Sequence, residues 1–302
     1  MHNESNPVAY ADSNTGMPEK IKKQNQLLEV MKRLNKNKLA MAGMIIFILF
    51  VVVAILAPIL TQYNYAAMDV LSKNQSPSAE HWCGTDDLGR DIFARLLYGA
   101  RYSLALGVSA VVIGLIVGII LGCIAGFFGG ILEEIIMRLC DIMQSIPSIL
   151  LAIIISAALG NGLFNTIIAL SIGRIPFTCR MVRAQFLSQR KLEYVEAAQA
   201  TNSSKAALMF KQILPNAISP IIVATTMGIG GTITMAAGLS YIGLGVQSPS
   251  PEWGAMLSAA KGVMRYYPYQ LLFPGLCIAI FVLALNLFGD GLRDALDPKL
   301  RN

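Results

Sequence analysis

Charge-free apolar stretches alternate with polar segments along the whole chain. An α-helix needs about 20 apolar residues to cross roughly 30 Å of hydrocarbon. Of five such stretches, the third, residues 142–173, is long enough for two crossings, with Gly160, Asn161 and Gly162 as the turn between them. The pattern therefore predicts an all-α, polytopic membrane protein with six transmembrane helices. The five stretches cover residues 39–60, 102–128, 142–173, 217–251 and 266–289.

The composition supports this class. Of the 302 residues, 55% are hydrophobic and 14% are charged, against about 25% charged in an average soluble domain. The alternative, a soluble protein with buried core helices, is disfavoured because such helices are usually shorter and carry polar faces. A cleaved signal peptide is disfavoured because the first 38 residues are polar and the first apolar run is long and internal.

Lysine and arginine predict the orientation, because these residues are enriched in cytoplasmic loops. With a cytoplasmic N-terminus, 18 of the 24 Lys and Arg residues lie inside and six outside. Both termini are therefore predicted to be cytoplasmic. The net charge of +6 follows from this asymmetry and needs no nucleic-acid partner. The basic segment 20–38 is expected to form a helix on the inner leaflet, attracted by anionic lipid.

The same pattern divides the chain into segments. The polar start, residues 1–19, is expected to be disordered. The predicted organisation is a cytoplasmic tail at 1–38, a first transmembrane helix at 39–61, an outer loop at 62–98, a five-helix core at 99–290 and a cytoplasmic tail at 291–302.

The outer loop ends in a distinctive run of glycines and charged residues. Its glycines predict a tight turn, and a carboxylate is expected to cap the helix that follows. Calcium binding by the aspartates is the alternative, but the ligand spacing of a calcium loop is missing. His81 and Cys83 supply two ligands, which make no metal site. The residues singled out here are Gly84, Thr85, Asp86, Gly89, Arg90 and Asp91.

Four glycines in the second predicted span recur every four residues. Small residues on one face let helix backbones approach closely in lipid. The spacing therefore predicts a packing seam against another helix, in this chain or in a second subunit. The four residues are Gly114, Gly118, Gly122 and Gly126.

The later spans carry further polar features. Glu134, Arg138 and Asp141 share one helix face, where we expect them to pair, and Pro147 is expected to kink the third span. Threonines in the fifth span either line a path or bond across helices. These threonines are Thr225, Thr226, Thr232 and Thr234. Arg174 is the one charge within a span.

A polar segment at about 191–216 precedes the last two spans. Residues 192–201 favour a helix, which Asn202 breaks, and Ser203 or Ser204 caps a second helix over 205–212. Pro215 is expected to stop that helix before the fifth span. The alanines give the first helix a low profile that a partner surface can approach. The predicted docking residues are Tyr194, Glu196, Ala197, Ala198, Ala200, Asn202 and Pro215.

At this point the sequence resembles the membrane permeases of binding-protein-dependent ABC importers. The Glu-Ala-Ala motif at 196–198 is that family's hallmark, with Asn202 where glycine is usual. Three other segments, 84–91, 239–247 with Trp253 and Gly254, and 289–298, look like those of dipeptide and oligopeptide permeases. The order of segments is similar to the second permease of the pair, and the resemblance covers residues 35–300.

The resemblance implies a permease subunit of the bacterial inner membrane that imports dipeptides or oligopeptides. Its implied partners are a homologous second permease, two cytoplasmic ATPases that dock on the Glu-Ala-Ala loop, an extracytoplasmic substrate-binding protein and membrane lipid. Nickel and glutathione permeases share much of the pattern, so these cargoes are the alternative.

The chain itself is expected to have no catalytic residues, metal or cofactor. No Gly-Lys pair occurs, so the usual phosphate-binding loop for ATP is missing; ATP and magnesium are assigned to the partner ATPases. A proton-coupled secondary transporter is disfavoured because no intramembrane acid is found. A polytopic membrane enzyme is disfavoured because no nucleophile–base or metal cluster appears.

Overall fold

The computed structural model describes residues 26–296, and within them the chain is mostly helical. The predicted disordered start and the last residues of the C-terminal tail lie outside the described part. The sequence-based fold class is confirmed: apart from an isolated bridge between Thr85 and Asp91, no strand pairing occurs in residues 26–296.

The first half of the chain contributes five helices. Asn37 separates the first two and accepts a hydrogen bond from the Ala40 amide at 3.1 Å. Leu34 is buried against Ala40 and Ala295, so the first helix packs on the bundle with at least this part of its apolar face. The helices are α1 (Gln26–Lys36), α2 (Lys38–Leu60), α3 (Ile92–Phe128), α4 (Gly130–Ser145) and α5 (Ser148–Leu159).

The second half contributes six more helices. Two of them, α7 and α10, have eight residues each, and α8 is the first turn of a helix that continues into α9. These helices are α6 (Leu163–Gln189), α7 (Glu193–Ala200), α8 (Lys205–Ala207), α9 (Leu214–Tyr241), α10 (Trp253–Ala260) and α11 (Tyr269–Leu296).

Helix α3 forms the centre of the fold. It packs most extensively on α6, while α11 packs on α2 and α9. Trp253 is buried between these helices: its indole nitrogen donates to the Leu96 carbonyl at 3.1 Å, and its ring meets Phe50 edge-on at 5.6 Å. Large apolar side chains such as Ile48, Ile59 and Ile116 point outward, as expected of helices surrounded by lipid.

The number of crossings differs from a simple count of apolar stretches. Among the described residues, four helical segments are long and apolar enough to cross a membrane, and a bent pair, α4 and α5, would make five. Helix α6 has 27 residues, about 40 Å at 1.5 Å per residue, but three arginines interrupt its apolar sequence. The count of six and the orientation of the termini therefore stay predictions.

The third predicted span is broken, where the sequence predicted a kink. Helices α4 and α5 meet at 88° around Ile146 and Pro147. Proline lacks an amide hydrogen and disfavours helical geometry in the preceding residue, and Ile146 is extended, with φ −95° and ψ 128°. With 12 residues, α5 is too short to cross the membrane alone.

Candidate functional site

Helix α7 is anchored on one side and open on the other. Val195 is fully buried in a cluster with Cys123 of α3, Phe186 of α6 and Ile213. The Tyr194 hydroxyl donates to the Gln189 side-chain oxygen at 2.9 Å. These contacts hold the helix against the bundle, so its opposite face has a fixed position.

The open face of α7 is small and acidic. Glu196, Ala197 and Ala200 are exposed, whereas Ala198 is half-buried. Ala198 instead has a backbone role, because its carbonyl accepts from the Ser203 amide at 3.3 Å and the Thr201 hydroxyl at 3.0 Å. Bulk added to test contact with a partner therefore belongs at Ala197 or Ala200.

The turn after α7 uses a left-handed residue. Asn202 has φ +57°, a conformation that asparagine tolerates better than most residues. Ser204 then caps α8 by accepting from the Ala207 amide at 3.2 Å. Lys205 lies with its ammonium 5.7 Å from the Phe128 ring centre at the end of α3, a contact that the sequence pattern did not indicate.

The prediction that Pro215 stops the second helix is wrong. The helix continues from Lys205 to Tyr241 through a wide turn of π geometry at Leu208–Ile213. In this turn the Leu214 amide donates to the Met209 carbonyl, five residues back. The wider turn accommodates proline, which brings no amide hydrogen and sits in the first turn of α9.

The glycines of α3 face α6 closely. A methyl group at Gly118 would lie 2.5 Å from Thr178 Cβ, and one at Gly122 would lie 2.6 Å from the Cys179 carbonyl oxygen. At Gly126 it would lie 2.5 Å from Phe186 Cβ, and at Gly114 3.1 Å from Arg174 Cβ. The seam thus lies within this chain and includes Arg174 of α6.

The glycines of the loop before α3 permit close backbone contact. Gly84 and Gly89 have φ +75° and +74°, and a methyl group at Gly89 would lie 1.7 Å from the Asp69 carbonyl oxygen. The Thr85 hydroxyl accepts from the Gln75 amide at 2.8 Å and donates to the Ser72 carbonyl. This end of the bundle is therefore held together by contacts within the loop itself.

The charged residues of this loop bind one another. Asp86 accepts from the Arg90 guanidinium at 2.7 Å, and Arg90 donates onward to Ser248 at 3.0 Å. Asp91 caps α3 by accepting from the Ala94 amide at 2.6 Å, and its other oxygen lies 2.8 Å from His81 Nδ1. The predicted cap is confirmed, and both carboxylates are engaged in holding the loop together.

Sequence reasoning missed Glu252, which lies buried before α10. Its carboxylate accepts from the amides of Gly254 and Ala255 at 2.9 and 2.8 Å. Burial raises the pKa of the Glu252 carboxyl, while these hydrogen bonds act in the opposite direction. An acidic residue directly before Trp253 and a small-residue helix was the available signal for a cap.

The acidic residues of α4 pair differently from the prediction. Arg138 lies 4.0 Å from Glu134, as expected, but Asp141 pairs with Arg180 of α6. Glu133 pairs with Arg183, also on α6. The predicted pairing of Asp141 within its own helix is wrong, because the opposing helix brings an arginine closer.

The threonines of α9 neither bond across helices nor present free hydroxyl donors. Each hydroxyl donates to the carbonyl four residues earlier in the same helix, at distances of 2.6 to 3.1 Å. Thr232 nevertheless borders a cavity, where its oxygen can still accept a hydrogen bond.

Two cavities follow the faces of α6 and α9. The first, of about 480 Å³, lies beside the break between α4 and α5, and Arg174 forms part of its wall. The second, of about 560 Å³, lies nearer α7 and is bordered by Gln189, Ala224 and Arg293. Sequence reasoning did not identify which helices surround such spaces.

Two family descriptions match the chain. Residues 118–302 match "binding-protein-dependent transport system inner membrane component", and residues 25–77 match the "N-terminal TM domain of oligopeptide transport permease C".

Relatives match over nearly the whole length. A dipeptide transport system permease protein of Alkalihalophilus pseudofirmus is 46% identical over 91% of this chain and 90% of its own. An oligopeptide transport system permease protein of Bacillus subtilis is 45% identical over 96% of both. A glutathione transport system permease protein of Shigella flexneri is 49% identical over 90% of both.

Solved structures share the fold. A chain of the inward-facing MetNI methionine ABC transporter matches with a TM-score of 0.56 and 21% identity, covering 68% of this chain and 98% of that one. An amino acid ABC transporter crystallised with histidines matches with a TM-score of 0.52 and 16% identity, covering 67% and 94%.

Proposed function

Because this chain belongs to the family of binding-protein-dependent transport system inner membrane components, we propose that it forms half of the pathway of an ATP-driven peptide importer. It is a multi-pass protein of the bacterial inner membrane. Its relatives' names favour dipeptides and oligopeptides as cargo. Glutathione, the cargo named for another relative, is the second candidate.

One observation carries the coupling part of this proposal: α7 is fixed by Val195 yet presents Glu196, Ala197 and Ala200 outward. A partner that displaces such a helix also displaces the bundle, because the anchor lies among residues of α3, α6 and α9. The proposed partner is a cytoplasmic ATPase, one for this chain and one for a second permease. Closure of the ATPases on ATP would then move both permeases.

Reconstitution tests the transport activity. The test uses proteoliposomes that contain both permeases, with the ATPases facing the lumen and the binding protein added outside. They are expected to accumulate radiolabelled dialanine only when the lumen contains ATP. Excess unlabelled glutathione tests the second candidate cargo, because a transported competitor would reduce the uptake of labelled dialanine. Accumulation by this chain alone, or accumulation driven by a proton gradient without ATP, would contradict the proposal.

The docking role is tested by Ala197→Trp. The indole occupies the open face of α7, so ATPase copurification and uptake are both expected to fall at least about tenfold, equivalent to about 1.4 kcal/mol. Ala158→Trp, at an exposed alanine of α5, is the matched control and should retain both. Normal copurification and uptake in Ala197→Trp would exclude contact at this face.

A further inference from the structure

The cavity beside the α4–α5 break has a wall of mixed chemistry. Its polar wall includes Gln144, Ser148, Arg174 and Thr232, and no acidic residue of the described part of the chain borders it. Its volume of about 480 Å³ lies within the range of about 300–1,000 Å³ typical of small-molecule sites. Among residues 26–296, Arg174 is the one formally charged residue that borders this cavity.

Arg174 has no acidic partner within 4.0 Å in residues 26–296. Its guanidinium donates one hydrogen bond, to the Ala224 carbonyl at 3.1 Å. The other two arginines of α6 that lie further along, Arg180 and Arg183, are both paired with acids of α4. Arg174 therefore differs from these two arginines in having no acidic partner among the described residues.

Glycine at position 228 makes room for this side chain. A methyl group there would lie 1.7 Å from Arg174 Nη2 and 2.2 Å from the guanidinium carbon. The guanidinium thus packs directly against the backbone of α9 at Gly228. Arg174 lies between the two cavities, because it borders the first and its hydrogen-bond acceptor, Ala224, borders the second.

In a helix predicted to cross the membrane, as α6 is, a charged side chain is costly unless it is paired or serves a ligand. A guanidinium offers five N–H donors in a planar fork. Among the described residues, the Ala224 carbonyl accepts from one of the donors of Arg174. Carboxylate is an anion whose two oxygens match that fork, as phosphate also is, and carboxylate is the one that every free-acid peptide carries.

We propose that Arg174 binds the C-terminal carboxylate of a peptide as it passes between the two cavities. This inference rests on the proposed function, since every unmodified linear peptide carries that group whatever its side chains. Arg174 is thereby a specificity-determining residue for free-acid peptides, and the uncharged remainder of the wall tolerates different side chains.

The test measures binding without the binding protein, so that recognition outside the membrane cannot contribute. The complete complex of both permeases and the ATPases is placed in nanodiscs, and equilibrium dialysis gives its affinity for dialanine and for dialanine amide. The wild type is expected to bind dialanine at least about tenfold more tightly, equivalent to about 1.4 kcal/mol. Arg174→Gln should remove this difference, and Arg174→Lys should retain part of it, because a lysine keeps the charge but not the fork.

Arg180→Gln is the matched control: it removes a charge from the same helix but away from the cavity, and it should preserve the preference. Equal binding of acid and amide by the wild type, no binding of dialanine, or an unchanged preference in Arg174→Gln would each overturn the inference. Loss of the second permease from purified Arg174→Gln would also overturn it, because it would assign Arg174 to subunit contact. Failed ATP-driven uptake of dialanine by the wild type refutes the proposed function instead.

Discussion

The α3–α6 seam allows a quantitative prediction. In Gly122→Ala, the added carbon would lie 2.6 Å from both the Cys179 carbonyl oxygen and Val182 Cβ. Neither atom is the free end of a flexible side chain, so relief requires the two helix backbones to separate. The change therefore tests whether the glycine spacing holds α3 against α6.

The expected effect is the sum of two opposing terms. Overpacking costs about 1–3 kcal/mol, whereas alanine favours a helix over glycine by about 1 kcal/mol. Gly238→Ala in α9 makes the same chemical change with no atom within 4 Å of the added carbon. The difference in unfolding free energy between the two variants removes the propensity term and is expected to be about 1–3 kcal/mol.

Unfolding by a denaturing detergent, followed by tryptophan fluorescence, supplies the measurement. Trp253 is buried in the bundle and Trp82 is exposed, so Trp82→Phe isolates the buried signal. Gly238→Ala should equal or exceed the stability of its parent, while Gly122→Ala should unfold earlier. Equal unfolding free energies for the two alanine variants would refute the argument that the seam is tightly packed.

Two other predictions concern opposite ends of the bundle. Asn202→Gly should leave the rate of amide hydrogen exchange in α7 unchanged, whereas Asn202→Val should accelerate it. The reason is that a left-handed conformation costs an ordinary residue about 1–2 kcal/mol. Equal exchange rates in the two variants would contradict this. Burial, and then the nearby Asp91 charge, raise the pKa of the Cys83 thiol to about 11, and the thiolate is the reactive form. The rate of its alkylation by iodoacetamide, in a variant with Cys83 as the sole cysteine, should therefore rise nearly tenfold per pH unit from pH 8 to 10. A rise of about twofold or less between pH 9 and 10, as expected of a thiol with the ordinary pKa of about 8.5, would contradict the shift.

Features set by local sequence were the most predictable. The left-handed turn follows from asparagine at 202, the helix cap from aspartate at 91, and the membrane class from the charge-free stretches. Each depends on residues close together in the chain, so pattern and conformation correspond directly.

Features set by distant neighbours were not predictable in the same way. Asp141 has an acceptable partner in Arg138, and only the packing of α6 places Arg180 nearer. Likewise, proline at 147 marks a disturbance, but the angle of 88° depends on what α4 and α5 each pack against. At Pro215 the helix continues, because the wider turn before it accommodates the proline. A proline in the sequence therefore does not show whether a helix bends, breaks or continues.

Helix α3 is one uninterrupted rod of 37 residues, about 55 Å long. Its first residue follows the Asp91 cap, and its last turns contact the anchor of α7 through Cys123. A rigid rod of this length would act as a lever, because a tilt at the α7 end would displace the far end in the opposite direction about the α6 seam. Docking of the proposed ATPase on α7 would therefore reach the opposite end of the bundle through a single rigid element.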